Sequence, residues 1–142
     1  MTAKFFVDTN VLVYAASNAA ADQARRDLAL ELLDRTDLAL SAQVLAEFYA
    51  VATSKAKLNL AHNEAVVLLQ SLARIPACAI TRELVMEAVE LRHRYQISYW
   101  DAAILAAAKQ MGCGTVYSED LSAGQNYDGV TVVNPFAANT TP

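Results

Sequence analysis

Residues Lys4–Asn10 read Lys-Phe-Phe-Val-Asp-Thr-Asn, and the junction inside this stretch decides the fold. Lys4–Val7 is a short apolar run rich in strand formers. Asp8 ends it with a charge. Asp-Thr-Asn is turn and N-cap chemistry for a short helix over Asn10–Ser17. The same alternation continues outward. An amphipathic helix is expected over Ala20–Arg35, then a short buried strand over Leu38–Leu40, with Ser41 as N-cap of a helix over Ala42–Ser54. Asn63–Arg74 reads as a helix stopped by Pro76, Ala77–Ile80 as a strand, and Thr81 as the cap of a helix over Arg82–Arg94. Ser98 caps a helix over Tyr99–Met111 that Gly112 ends at the C′ position. Thr115–Tyr117 and Val130–Val133 are the last strands, with Asp128-Gly129 as a turn signal between them. Strands alternating with helices predict a single α/β domain over residues 1–136, with a mainly parallel sheet flanked by helices, followed by a polar tail over 137–142.

Composition narrows the function classes. A chain of 142 residues is one domain in length. Hydrophobic residues make up 55% and charged residues 18%, which excludes a disordered chain. The net charge of −4 argues against binding nucleic acid by bulk positive charge. All four glycines, Gly112, Gly114, Gly124 and Gly129, fall in the last third, so no glycine-rich phosphate loop follows the first strand. Cys78 and Cys113 read as small packing residues rather than a disulfide framework. The N-terminal stretch faintly resembles a signal peptide, but Asp8 breaks its apolar segment. The longest apolar run, Ala102–Ala108, is far short of the roughly 20 residues that span a bilayer. A soluble, intracellular protein is expected.

In open α/β sheets, ligand sites lie beyond the carboxyl ends of the strands. Asp8 follows the first strand, Ser118, Glu119 and Asp120 follow the Thr115–Tyr117 strand, and Glu47 sits early in the helix after Leu38–Leu40. Each has a plain alternative. Asp8 suits an N-cap outside the apolar core. Glu47, flanking the arc of Val44, Leu45, Phe48, Val51 and Ala52, suits a solvated rim. Asp101 is the most informative acid because its helix is apolar almost all round, although Ser98-x-x-Asp101 also reads as a capping box. Four acids crowded at one edge would repel one another and raise each other's pKa values. Mg²⁺, or Mn²⁺ in its place, removes that conflict by binding carboxylate oxygens, and reverses the local field so that an acidic protein can hold a polyanion.

Five segments, FFVDTNVLVYAAS, SAQVLAEFY, ISYWDAAILAAA, TVYSEDLSAGQ and VVNPF, occur in this order over nearly the whole chain. In them the sequence resembles the PIN-domain family, and within it the VapC-type toxin ribonucleases of prokaryotic toxin–antitoxin pairs. The resemblance implies an acidic site of Asp8, Glu47, Asp101 and Asp120, with Asn10 and Ser118 as supporting polar residues and Glu119 peripheral. Asp8 and Asp101 are the first choice for metal ligands, with Glu47 and Asp120 completing the cluster. The implied activity is Mg²⁺-dependent endoribonuclease cleavage of RNA in the cytoplasm, leaving a 3′-hydroxyl and a 5′-phosphate. The implied partners are a second copy of the chain and an antitoxin whose C-terminal segment covers the acidic groove. Two other readings stay open. One is a haloacid-dehalogenase-like phosphohydrolase with Asp8 as nucleophile, although Val11 stands where that family usually has glycine. The other is a PIN-like module that binds RNA or protein without cutting. His62 and His93 are expected at the surface; Tyr99 and Trp100, which offer faces for stacking on RNA bases, are expected in core or interface packing; and Lys55, Lys57, Arg92 and Arg94 are expected on a solvated face rather than tracking phosphates.

Overall fold

The computed structural model describes residues 3–137, so all but the first residue of the expected tail lies outside the described part. Phe5–Val7 forms β1, the strand around which the sheet is organised. It pairs in parallel with β2 (Leu38–Ser41) through Phe5 opposite Leu38, and on its other side with β4 (Thr115–Tyr117) through Phe6 opposite Val116. The outer strands are β3 (Ala77–Cys78), β6 (Val130–Val133) and β5 (Asn126–Tyr127), giving the order β3-β2-β1-β4-β6-β5. Only β5 runs antiparallel. The expected mainly parallel sheet is therefore present. Consecutive residues Phe6 and Val7, which point to opposite faces, are both fully buried, so helices cover both faces.

The helices are α1 (Thr9–Ala16), α2 (Gln23–Leu33), α3 (Ala42–Thr53), α4 (His62–Ser71), α5 (Arg82–Tyr95) and α6 (Tyr99–Gln110). The three expected hydroxyl caps form: Ser41 accepts from the Val44 N–H, Thr81 from Leu84 and Ser98 from Asp101. Gly112 follows α6 at φ +75°, where a side chain would be strained. Alanine is what lets α6 bury deeply: Ala102–Ala108 are all buried, and the helix packs on α5, β2, β4 and β6. Cys78 and Cys113 are buried free thiols, as expected of small packing residues.

Three elements differ from expectation. The helix expected over Ala20–Arg35 opens with a 3₁₀ turn at Ala20–Asp22, because the Ser17 hydroxyl donates to Asp22 at 2.7 Å and holds that turn off the α2 axis. The helix expected over Asn63–Arg74 tightens into a 3₁₀ turn at Leu72–Arg74 ahead of Pro76. β5 was not expected; two residues carry no periodicity, yet Asp128 (φ 55°) and Gly129 (φ 94°) form the left-handed turn that folds it onto β6.

From β1 the chain moves to β2 and β3 on one side, then crosses back to β4 on the other. The carboxyl ends of β1 and β4 thus flank the point where strand order reverses, the place where open parallel sheets form a crevice. Leu105 is fully buried in α6. Leu105→Ala should cost about 3 kcal/mol in urea unfolding; a cost below about 1 kcal/mol would show that α6 is not packed in the core.

Candidate active site

Asp8 leaves β1 at that crevice, and its backbone N–H donates to the Tyr117 carbonyl of β4 at 3.1 Å. Its side chain is only 5% exposed. The expectation that Asp8 stands outside the core is thus corrected: β1 is a central strand, so its end is roofed by its neighbours. Both carboxylate oxygens are engaged. Oδ1 accepts from the Thr9 N–H at 2.7 Å, as the N-cap of α1, and Oδ2 accepts from the Ser118 hydroxyl at 2.8 Å. Burial is the largest cause that pushes the Asp8 pKa up to about 6; the two hydrogen bonds oppose it, while the charges of Asp120 and Glu47 add to it.

The other acids are brought to the same groove by different elements. Glu47 reaches in from α3, and its Oε1 accepts from the Thr9 hydroxyl at 3.0 Å and from Gln43 Nε2 at 3.4 Å. Asp101 sits in the first turn of α6, half-buried, with its pKa raised by burial first and by Asp120 as well. The cap of that helix is made through the Asp101 backbone N–H, so capping and a site role for its carboxylate coexist. Asp120 follows β4, and its carboxylate accepts from Asn10 Nδ2 at 3.1 Å. Asn10 Nδ2 also reaches the Ser118 hydroxyl oxygen at 3.3 Å, and Asn10 Oδ1 accepts from the Glu119 N–H at 3.4 Å. Ser118 itself is fully buried and ties Asp8 to the Asp120 backbone N–H.

Asp8, Asn10, Glu47, Asp101 and Asp120 all line one open groove of about 370 Å³, so the structure gathers these expected site residues. It adds others. Glu119 lines the groove too and accepts from the Tyr14 hydroxyl at 2.7 Å; burial first, and then this contact, push the Tyr14 pKa up to about 12. Thr9 and Gln43 orient Glu47; Gln43, four residues before Glu47 on α3, could have been found by that spacing. Trp100, for which core or interface packing is expected ahead of base stacking, is 62% exposed and lines the groove, so it is not part of the core. His62, Lys55, Lys57, Arg92 and Arg94 are outside it.

No Lys, Arg or His is among the lining residues. Nor, among the described residues, do three acidic, imidazole or thiol groups close into a ready ligand set. Asp8, Glu47, Glu119 and Asp120 are instead each bonded to the chain's own hydroxyls or amides. The donors are carboxylate oxygens, the type hard divalent cations take, and Asp8, Glu47, Asp101 and Asp120 are the residues able to hold one.

A parallel-sheet α/β domain with a carboxylate-lined crevice at its switch point is the class that fold and groove define. The PIN domain family model matches residues 5–125, and the chain belongs to that family. Solved structures share the fold. A toxin–antitoxin complex from Klebsiella pneumoniae is 20% identical, with 94% of this chain and 98% of that chain covered at a TM-score of 0.68. VapC20 of Mycobacterium tuberculosis, described as a sarcin-ricin loop cleaving toxin, is 22% identical over 82% of this chain and 90% of that chain, at 0.66. DNA-bound VapBC from Salmonella typhimurium is 17% identical over 92% and 97%, at 0.65. No curated protein sequence matches significantly.

The buried Asp8 sets a pH dependence. Its pKa is raised from 3.8 to about 6 on folding, so the folded protein keeps this proton while the unfolded chain loses it. Stability should therefore fall as pH rises from about 4 to about 6, by at most roughly 3 kcal/mol from this group. Asp8→Asn, in chelator, is expected to be more stable than the wild type near pH 7.5 and equal to it near pH 3.5. Urea titrations showing the same difference at both pH values would contradict this.

Proposed function

We propose that the protein is a Mg²⁺-dependent endoribonuclease, the toxin of a toxin–antitoxin pair. The observation that carries this reading is the convergence of Asp8, Glu47, Asp101 and Asp120 from separate elements on one groove with no cationic side chain in its lining. Membership of the PIN domain family supports nuclease chemistry and weighs against the phosphohydrolase alternative. The likeness to a toxin that cleaves the sarcin-ricin loop, and to toxin–antitoxin complexes, supports RNA as substrate and an antitoxin as partner. A homodimer and a cytoplasmic location belong to the same reading; no helix among the described residues is long and apolar enough to cross a membrane.

Asp8 and Asp101 would hold the cation, and Glu47 and Asp120 would complete the site directly or through water. When bound, the cation supplies positive charge against the phosphate oxygens and acidifies the attacking water. The chain's own polar groups do the positioning. Ser118 and Thr9 fix the Asp8 carboxylate, Thr9 and Gln43 aim Glu47, and Asn10 holds Asp120. Because these bonds exist before substrate arrives, little reorganisation is left for the reaction itself.

The test is cleavage of structured RNAs with Mg²⁺, with chelator, and by Asp101→Asn. Chelator should abolish cleavage. Asp101→Asn should lower it by about two orders of magnitude or more, while stability stays within about 1 kcal/mol because the Ser98 cap uses the backbone N–H. Undiminished cleavage in excess chelator, or by Asp101→Asn, would overturn the proposal.

A further inference from the structure

Trp100 is the chain's single tryptophan, 62% exposed, and lies beside Asp101 on the groove wall. Exposing so much indole is costly for a residue whose neighbours Ala102 and Ala103 are buried, and packing does not explain it. The side chain is nonetheless placed. Its ring meets Tyr99 edge to face, at a centroid separation of 5.0 Å and an angle of 82°. Its carbonyl accepts from Gln43 Nε2 at 3.4 Å, the same amide that steadies Glu47. The rest of the apolar lining, Val13, Val51 and Ile104, is aliphatic, and the other aromatic residue of the lining, Tyr14, is tied to Glu119 through its hydroxyl and packs edge to face on Phe136.

The electrostatics of the groove limit how RNA can be held there. Its ionisable lining is Asp8, Glu47, Asp101, Glu119, Asp120 and Tyr14, so the groove wall has no basic group with which to take up phosphates. Divalent cations can offset the acidic charge at the scissile phosphate, but they bring no grip on the nucleotide next to it. What the wall offers for that is an aromatic face, and stacking needs no charge on the protein. RNA that is cut in single-stranded loops presents unpaired bases for it.

Resting on the ribonuclease reading above, we infer that Trp100 is a base-stacking residue that seats an unpaired nucleobase adjacent to the phosphate that a cation at Asp8 and Asp101 would hold. It acts in substrate binding, so its loss should fall on KM more than on kcat. Because the indole is unique in the chain, it also reports its own occupancy by fluorescence.

The experiment uses the full chain in two forms. Asp101→Asn, with Trp100 intact and little cleavage, is titrated with single-stranded oligoadenylate and, separately, with inorganic polyphosphate of equal charge. Oligoadenylate should quench the tryptophan emission with saturation, and polyphosphate should not. In the otherwise wild-type chain, Trp100→Ala should lower kcat/KM by about five- to a hundredfold, mainly through KM. Trp100→Tyr should recover most of that loss and Trp100→Leu little of it. Unchanged kcat/KM in Trp100→Ala, with the wild type active, overturns the stacking role and leaves the ribonuclease reading standing. Emission that follows protein concentration and ignores RNA overturns it in favour of a second copy covering the indole. Saturable quenching by oligoadenylate in a protein that cleaves no RNA supports stacking and instead defeats the ribonuclease reading.

Discussion

The carboxylate of Asp8 sits at the end of a central parallel strand, nearly closed off from water, in the field of Asp120 and Glu47. Much of the molecule answers to that constraint. Strand order reverses beside it, so the ends of β1 and β4 open a crevice rather than a packed seam. α1 starts at Asp8 and presents its N–H groups, and the buried Ser118 of β4 donates a hydroxyl; both favour the ionised form that burial disfavours. Without these donors, burial would push the Asp8 pKa higher still and leave the carboxyl protonated.

The same economy runs through the rest of the groove. Glu47 is held by Thr9 and Gln43, Asp120 by Asn10 and Glu119 by Tyr14, all neutral donors. Paired cations would quench the field that makes the groove useful. Neutral donors fix geometry and leave the negative charge in place, ready to be offset by whatever enters. The salt bridges among the described residues, Arg35 with Asp37 and both Arg94 and Lys109 with Asp128, lie outside the groove lining, consistent with that division. The aromatic wall at Trp100 supplies contact of a kind that does not disturb the charge.

Much of this was legible in the sequence because it rests on local rules. Apolar runs ending in Asp8 and Ser118 placed two strand ends, and the hydroxyl caps at Ser41, Thr81 and Ser98 placed three helix starts. Knowing that ligands gather at strand carboxyl ends then put the acids on one edge. What stayed hidden depends on contacts between distant residues. Thr9 bonds Glu47 across 38 positions and Tyr14 bonds Glu119 across 105, and neither residue type signals such a partner. For Trp100 the tendency of an aromatic beside an apolar helix to pack outweighs, on sequence alone, the alternative of stacking on a base. Here it falls in the first turn, on the side that faces the groove. The two-residue β5 was invisible for a simpler reason: it is shorter than any period that could reveal it.

The central claim is that these carboxylates form a divalent-cation site. The most direct measurement is anomalous diffraction from crystals of the wild-type chain grown with Mn²⁺. The account expects a strong anomalous peak in the groove, with oxygens of Asp8 and Asp101 at coordinating distance. A well-ordered groove with no peak there, in crystals whose Mn²⁺ is bound elsewhere on the protein, would contradict it.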